Sequence, residues 1–195
     1  LTELNCGENQ LTSLSLSDLP KLATLRCNKN RLTSLSLSNL PALIYLSCID
    51  NQLTSLDVSG LTKLEDLYCY NNQLTSLDVS DLTALTSLYC YNNQLTSLDV
   101  SNLTALTRLY CYNNRLTTLS VGDINTLKFV ECHQNQLSQI NLANMANLSN
   151  LKCGLQTNAD GTSLTATLEI YSTKIGTWNT TWSQYPENAN VTLKQ

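Results

Sequence analysis

The sequence predicts a solenoid, a single elongated domain in which short parallel β-strands stack along one side of a coil. The first observation is the spacing of the eight cysteines, which recur every 21 residues from Cys6 to Cys153. The second is a pattern of leucines that keeps the same register, and the third is an asparagine three residues after each of the first seven cysteines. A fixed period of this length is typical of stacked repeats, whereas disulfide frameworks and metal clusters do not produce it.

Each repeat unit has a strand half and a variable half. Residues 85–105 read LTSLYCYNNQLTSLDVSNLTA, with leucine at unit positions 1, 4, 11, 14 and 19, cysteine at 6 and asparagine at 9. Around Leu88, Tyr89 and Cys90, inward and outward residues alternate, which predicts a short strand with one buried face. The second half is too short for a long helix, so we expect an extended stretch followed by a tight or 3₁₀ turn.

The asparagines at unit position 9 lie where the chain turns away from the predicted sheet. An amide at this point donates and accepts along the stack, and so satisfies backbone groups that would otherwise be buried without partners. Because every coil needs the same bonds, we interpret these residues as structural. They are Asn9, Asn30, Asn51, Asn72, Asn93, Asn114 and Asn135.

The motif LxxLxCxxNxL recurs seven times in register, with Val130 in place of the second leucine in the seventh unit, and it resembles the leucine-rich repeat. Its length and its cysteine are similar to those of bacterial internalin-like surface proteins, in which cysteine replaces an inward apolar residue and forms a cysteine ladder. The phrase LTSLDVS and the tail resemble secreted repeat proteins of gut bacteria. The resemblance implies a right-handed coil with a parallel sheet on its concave face, extended or 3₁₀ segments on its convex face and a β-rich C-terminal cap. It also implies a secreted or cell-surface location and a role in adhesion.

Two regions are predicted. Residues 1–153 form the solenoid, with seven complete units and a partial eighth, and residues 154–195 form a capping segment. The boundary rests on the loss of the pattern after Cys153, where Gln156 stands in place of the asparagine. Because Leu1 lies inside a repeat and an uncapped solenoid end exposes core leucines, we also expect a signal peptide and an N-terminal cap upstream.

The tail contains three predicted elements. Residues 164–170 alternate like a strand, and residues 190–193 fit a last strand. Ser172 is positioned to cap a short helix, whose apolar face would carry Ile175, Trp178 and Trp182.

Composition narrows the function classes. The net charge of −4 and a sequence pI near 4.8 argue against a nucleic-acid partner, because phosphates require a basic surface. The sequence has no run of about 18 apolar residues, so we expect no membrane insertion. The eight cysteines point inward in one row, in which disulfides would buckle the sheet and four sulfurs cannot surround a zinc ion. We therefore expect eight free, buried thiols and no metal.

Function is expected on the outer face of the predicted sheet, at unit positions 3, 5 and 7. Seven of the nine tyrosines lie in these rows, although the core does not require outward aromatics. Stacked identical side chains also stabilise their own sheet, by about 0.2–1 kcal/mol per pair, so a ladder that binds nothing is the alternative. An exposed aromatic patch on a rigid frame favours a recognition surface. The predicted contacts are Tyr68, Tyr70, Tyr89, Tyr91, Tyr110 and Tyr112, with Tyr45, Arg108, Phe129, Glu131 and His133 at the edge.

No catalytic constellation is evident in the sequence. Cys132 and His133 are adjacent, so on a strand they face opposite sides and cannot form a dyad. Glu131 and His133 share a face, where a surface ion pair is the simpler interpretation. An outward acidic row on the convex side is a weak candidate for Ca²⁺ and is better interpreted as a solvated edge; it consists of Asp57, Asp78 and Asp99.

The sequence therefore predicts a non-enzymatic module that recognises a protein or a glycan through its tyrosine-rich concave face, without a cofactor or a metal. Two alternatives stay open. One is a rigid structural spacer whose tyrosines bind nothing, and the other is self-association through the aromatic patch or the N-terminal coil.

Overall fold

The computed structural model describes residues 1–142, 145, 147–154, 156, 168–171 and 191–194, which form fifteen strands numbered β1 to β15 along the chain. Eight of them build one parallel sheet, with one strand from each coil. Paired residues lie 21 positions apart, as in Leu67, Leu88 and Leu109, so one sequence period is one coil. The strands are β1 (Glu3–Asn5), β3 (Thr24–Arg26), β5 (Tyr45–Ser47), β6 (Asp66–Tyr68), β7 (Ser87–Tyr89), β9 (Arg108–Tyr110), β11 (Phe129–Glu131) and β13 (Asn150–Lys152).

The variable half of each unit is extended and then turns back toward the sheet. Leu61 N–H donates to the Val58 carbonyl at 3.2 Å and Leu64 N–H to the Leu61 carbonyl at 2.9 Å, so two tight turns follow one another. The described residues contain no helix, which confirms the expected extended stretch and tight turn. Short parallel pairings on this side join β2 (Ser13–Ser17) with β4 (Ser34–Ser38), β8 (Ser97–Asp99) with β10 (Thr118–Ser120), and β12 (Gln139–Asn141) with β14 (Leu168–Tyr171) and β15 (Val191–Lys194).

The leucines and cysteines of successive coils form one continuous core that extends from Leu22 to Cys153. Cys27, Cys48 and the cysteines that follow them are buried, and all eight are free thiols, as expected. Burial raises the pKa of the Cys90 thiol to about 12, because a thiolate loses its hydration in this apolar row. These side chains therefore pack as small apolar groups.

The asparagines at position 9 form a hydrogen-bonded ladder along the coils, which confirms their structural interpretation. The Asn72 side-chain amide donates to the carbonyls of Cys48 and Cys69 at 3.0 and 3.1 Å, while its oxygen accepts the Leu53 N–H at 3.0 Å. Gln156 makes the equivalent bonds in the eighth coil, where its oxygen accepts the Leu137 N–H at 2.9 Å. The ladder thus extends one coil beyond the last asparagine of the series.

The C-terminal strands continue the second side of the coil. Glu169 pairs with Gln139, thirty positions earlier, so this coil is longer than the 21-residue repeat. Strand β14 overlaps the predicted strand at 164–170, and β15 overlaps the one at 190–193. The predicted helix after Ser172, with its two tryptophans, lies outside the described residues. The boundary at residue 153 stays a prediction.

Candidate functional site

The outer face of the eight-stranded sheet carries two rows of tyrosines. Because inward residues such as Leu67 and Cys69 alternate with outward ones, the last residue of β6, β7 and β9 points outward, and so does the second residue after each strand. We call the residues of these two rows the tyrosine face. It consists of Tyr68, Tyr89 and Tyr110 at unit position 5 and Tyr70, Tyr91 and Tyr112 at position 7.

The tyrosine rings stack along the coil axis. In the first row the centroids of Tyr68 and Tyr89 lie 4.7 Å apart and those of Tyr89 and Tyr110 4.6 Å apart. In the second row the Tyr70 and Tyr91 centroids lie 4.2 Å apart, and the interplanar angle is 12°. These spacings follow the distance between parallel strands, roughly 4.8 Å, so the sheet itself brings the rings into contact.

Stacking decides which part of each ring reaches solvent. Tyr89 lies between two parallel rings of its row, and Tyr91 lies between Tyr70 and Tyr112. Their ring faces are therefore covered on both sides. The half-buried side chains present ring edges and hydroxyl groups to a partner, at regular intervals along two lines.

Other side chains extend the two stacks at their ends, Tyr45 from unit position 3 and His133 from position 7. Tyr45 lies 5.3 Å from Tyr68 at a tilt of 37°, and the Arg26 guanidinium lies over the Tyr45 ring at 4.9 Å. At the other end His133 stacks on Tyr112 at 4.6 Å. The sequence predicts His133 at the edge of the face but not its place in the second stack, because a histidine at position 7 has no sequence signal that distinguishes a stacked ring from a solvated one.

Packing raises the pKa of four hydroxyls of the tyrosine face, those of Tyr68, Tyr89, Tyr91 and Tyr112, above the ordinary tyrosine value. Burial is the main cause that raises the pKa of Tyr68 to about 12, and the nearby Asp66 carboxylate adds to it. Burial and the hydrogen bond with Tyr70 raise the pKa of Tyr91 further. Each such phenol is therefore a neutral group that can donate or accept a hydrogen bond.

The charged residues at the ends of the face form ion pairs between adjacent coils. Glu131 pairs with Lys152 at 2.7 Å, and Arg26 pairs with Glu3. The sequence favours an ion pair between Glu131 and His133, whereas in the structure Glu131 forms its ion pair with Lys152 of the next coil. Arg26 and Lys152 were not among the predicted contacts. The sequence does carry a signal for both pairs, because opposite charges stand in neighbouring units, at positions 3 and 5 for Glu3 and Arg26 and at position 5 in both units for Glu131 and Lys152.

His133 and Cys132 face opposite sides, as predicted. Cys132 lies in the core and His133 packs in the outer stack. Burial lowers the pKa of His133, while the Glu131 carboxylate partly opposes this shift. The adjacent thiol and imidazole are thus separated by the strand.

A row of polar side chains borders the second tyrosine stack at unit position 8. The Asn92 amide donates to the Asn71 oxygen at 2.6 Å, and the Asn71 amide donates to Asp50 at the same distance. These residues have positive φ angles between 53° and 54°, a conformation that asparagine and aspartate tolerate better than most residues. The margin of the face is therefore held by side-chain bonds as well as by the sheet.

The acidic row on the opposite side has a local structural role. One oxygen of Asp57, Asp78 and Asp99 accepts the backbone N–H of the serine two residues later, at 2.9 to 3.0 Å. Hydrogen bonding from the side chain and then the backbone N–H of that serine lowers the pKa of Asp57 and Asp99, and for Asp78 the backbone N–H is the larger cause. In the described residues, no group of three or more His, Cys, Asp or Glu is placed to hold a metal ion. No helix long and apolar enough to span a membrane occurs in that part of the chain either.

Comparison with known proteins agrees with this architecture. A family model for leucine-rich repeats matches residues 41–82 and 83–123. No curated protein sequence matches the chain. Among solved structures, the chain is similar to the functional domain of InlJ from Listeria monocytogenes, which includes a cysteine ladder, with a TM-score of 0.76 and 38% identity over 88% of this chain and 40% of that one.

Two further solved structures are similar to the chain. YopM from Yersinia enterocolitica WA-314 gives a TM-score of 0.68 and 27% identity over 88% of this chain and 39% of that one. YopM from Yersinia pestis, a leucine-rich effector protein, gives 0.62 and 25% over 88% of this chain and 56% of that one. The chain therefore spans between 39% and 56% of the length of these relatives.

Together with the coil geometry, these matches show the class of fold: the chain is a leucine-rich-repeat solenoid. Within that class it has a cysteine ladder, the feature also present in the InlJ domain.

Proposed function

We propose that this domain is a non-enzymatic protein-recognition module of a secreted or cell-surface bacterial protein, and that the tyrosine face is its binding surface. The observation that carries the proposal is the pair of stacked tyrosine rows on a sheet whose core does not use them. The leucines, cysteines and position-9 amides account for the fold. The outward rings therefore represent apolar and polar surface that the fold does not require.

The stacks are suited to recognition because they are already ordered. A tyrosine offers a large contact area at a small loss of conformational entropy, and its hydroxyl adds a hydrogen bond. Here each internal ring is fixed between two others, so little further entropy is lost when a partner binds. A preorganised surface of this kind gives affinity without a conformational change.

Ring geometry favours a protein over a glycan. A sugar ring packs flat against an exposed aromatic face, and the faces of Tyr89 and Tyr91 are covered by their neighbours. The ring edges and hydroxyl rows instead match the mixed apolar and polar surface of a protein partner. The similarity to YopM, a leucine-rich effector protein, and to the InlJ domain also supports a role in recognition.

The proposal is tested with a binding screen of the purified domain against a panel of extracellular proteins and a glycan array. A variant that carries Tyr68→Ser, Tyr89→Ser and Tyr110→Ser runs beside the wild type. The matched control carries Thr54→Ala, Thr75→Ala and Thr96→Ala, which are exposed positions outside the eight-stranded sheet. Thermal unfolding of all three proteins separates loss of binding from loss of the fold.

We expect a protein ligand that binds the wild type and the threonine variant and loses at least tenfold in affinity for the tyrosine variant. A ligand that binds all three equally would place the site elsewhere. If no protein binds, the domain is better explained as a rigid spacer; dimers that the tyrosine variant abolishes would instead support self-association through this face. A glycan that depends on the tyrosines would overturn the preference for a protein.

A further inference from the structure

Some charged side chains along the tyrosine face form ion pairs within the protein, and others do not. At its N-terminal end Arg26 pairs with Glu3, and Lys29 pairs with Glu8 at 2.8 Å. At its C-terminal end Lys152 pairs with Glu131. Both ends of the face are thus neutralised by contacts within the protein, and charges left without such contacts stand between them.

Asp66 and Arg108 are these charges. Asp66 begins β6 and Arg108 begins β9, on either side of Ser87 in β7, in direct register. Within the described part of the chain, neither forms an ion pair with another side chain. The Arg108 guanidinium lies over the Phe129 ring, 5.7 Å from its centroid, a contact that leaves the positive charge unneutralised. Their backbones lie two strand spacings apart, roughly 9.6 Å. Ser87, whose short side chain is only 4% exposed, lies between them and carries no charge.

Neighbouring residues reinforce the same polarity. Glu65 is exposed beside Asp66, and Lys128 is exposed at the margin one coil beyond Arg108. The margin beside the first tyrosine row is therefore acidic at one end and basic at the other. The same charges also act on the tyrosine hydroxyls. Burial is the largest cause of the raised pKa of Tyr89; Arg108 lowers this pKa and Asp66 raises it.

The sequences of neighbouring repeat units show that the charged positions vary while the tyrosine positions do not. Units 64–84 and 85–105 differ at only three positions, and two of these replace Glu65 and Asp66 by Thr86 and Ser87. The third unit of the set again changes position 3, to Arg108. The tyrosines stay identical while the charges beside them change from coil to coil.

We propose that Asp66 and Arg108 set the specificity of the face, by selecting an extended polypeptide segment that carries a basic residue opposite Asp66 and an acidic residue opposite Arg108. The inference rests on the proposed function and names the chemistry of its partner. An extended chain rises about 3.3 Å per residue, so the two charges of the partner stand two to four residues apart. Complementary charges of this kind fix the register of a partner and exclude others.

The test is selection from a displayed library of random 15-residue peptides, with sequencing of the enriched pool. The domain is used as wild type, as Asp66→Arg and as Arg108→Asp. Two controls carry the same changes in charge in turns outside the sheets, Asp81→Arg and Lys63→Glu. Thermal unfolding checks that each variant is folded.

Wild type and both controls should enrich peptides with one acidic and one basic residue two to four positions apart. Asp66→Arg should enrich two acidic residues at that spacing and Arg108→Asp two basic residues, with roughly tenfold loss of affinity for the wild-type peptides. Enriched peptides without this charge pattern, or patterns unchanged in the variants, would overturn the inference and leave the proposed function standing. If no peptide is enriched while a folded protein binds the tyrosine face, the inference again fails alone. Charge-patterned peptides that still bind the triple tyrosine variant would instead contradict the proposed function.

Discussion

Replacement of Asn93 by alanine tests the asparagine ladder where it is most continuous. The Asn93 amide donates to the carbonyls of Cys69, Cys90 and Tyr91 at 3.1, 3.0 and 3.3 Å, and its oxygen accepts the Leu74 N–H at 3.0 Å. The three carbonyls keep other donors in the variant, from the Asn72 amide, the Asn114 amide and the Asn71 N–H. The Leu74 N–H therefore loses the acceptor that Asn93 supplies, and it does so in the core.

This accounting gives the magnitude. A buried donor without a partner costs about 1–3 kcal/mol, and the lost amide bonds, whose acceptors keep other donors, add about 1 kcal/mol, so Asn93→Ala should lower the free energy of unfolding by about 3 kcal/mol. Asn93→Asp keeps an acceptor for Leu74 but turns a second oxygen toward three carbonyls. It should cost more than the alanine at neutral pH, because like partial charges then face one another in a buried site.

Urea unfolding in the presence of a reductant measures these effects. Gln94→Ala removes a neighbouring amide that is outside the ladder and should change stability by less than about 0.5 kcal/mol. Asn9→Ala, in the exposed first coil, should cost far less than Asn93→Ala, since the Asn9 amide bonds only within its own turn. If Asn93→Ala falls within about 1 kcal/mol of the wild type with an unchanged m-value, the ladder does not stabilise the coil as reasoned.

Three other measurements follow from the structure. At pH 8 a thiol reagent should modify the half-buried Cys6 fastest and all eight cysteines only in denaturant, and rapid native labelling of Cys90 would contradict this. The free energy of unfolding should fall as the pH rises from about 10 to 12, because the pKa of Tyr68 is raised to about 12 in the folded protein and the unfolded chain therefore loses this proton at lower pH. Tyr68→Phe should make this fall less steep, and an equally steep fall would refute the assignment. Gln156→Ala should speed amide exchange at Leu137, by removal of its 2.9 Å acceptor, and unchanged exchange would exclude that role.

Much of this fold was predictable because one period constrains every coil. Once Cys69 and Cys90 are assigned to the same inward row, the strand register, the core leucines and the outward tyrosines follow from alternation alone. The role of the asparagines followed from the need to satisfy buried backbone groups. Gln156 is the exception, because replacement of the asparagine indicates the loss of the motif in the sequence, whereas in the structure the longer side chain places its amide on the equivalent carbonyls.

The contacts of the site were less accessible from the sequence. The sequence predicts which rows contain tyrosine, and the strand spacing sets the approximate distance between rings, but the angle between ring planes depends on ring rotation that the sequence does not specify. The ion-pair partner of Glu131 depends on the conformation of flexible side chains around it, and in the structure that partner is Lys152. The continuation of the stack through His133 depends on ring packing in the same way.

The tyrosine rows are constant over three coils, whereas position 3 varies, and this difference bears on how such a face acquires specificity. The inward and position-9 residues satisfy the fold in every coil, so the outward positions change with little effect on the core. Duplication alone explains why the tyrosines of units 64–84 and 85–105 are identical, and it gives each coil the same general contact surface. It does not explain the different residues at position 3 of these units, Asp66 and Ser87, or the Arg108 of the next. A repeated aromatic surface can supply affinity, whereas discrimination between partners requires positions that differ from coil to coil, and position 3 provides them beside the tyrosine hydroxyls.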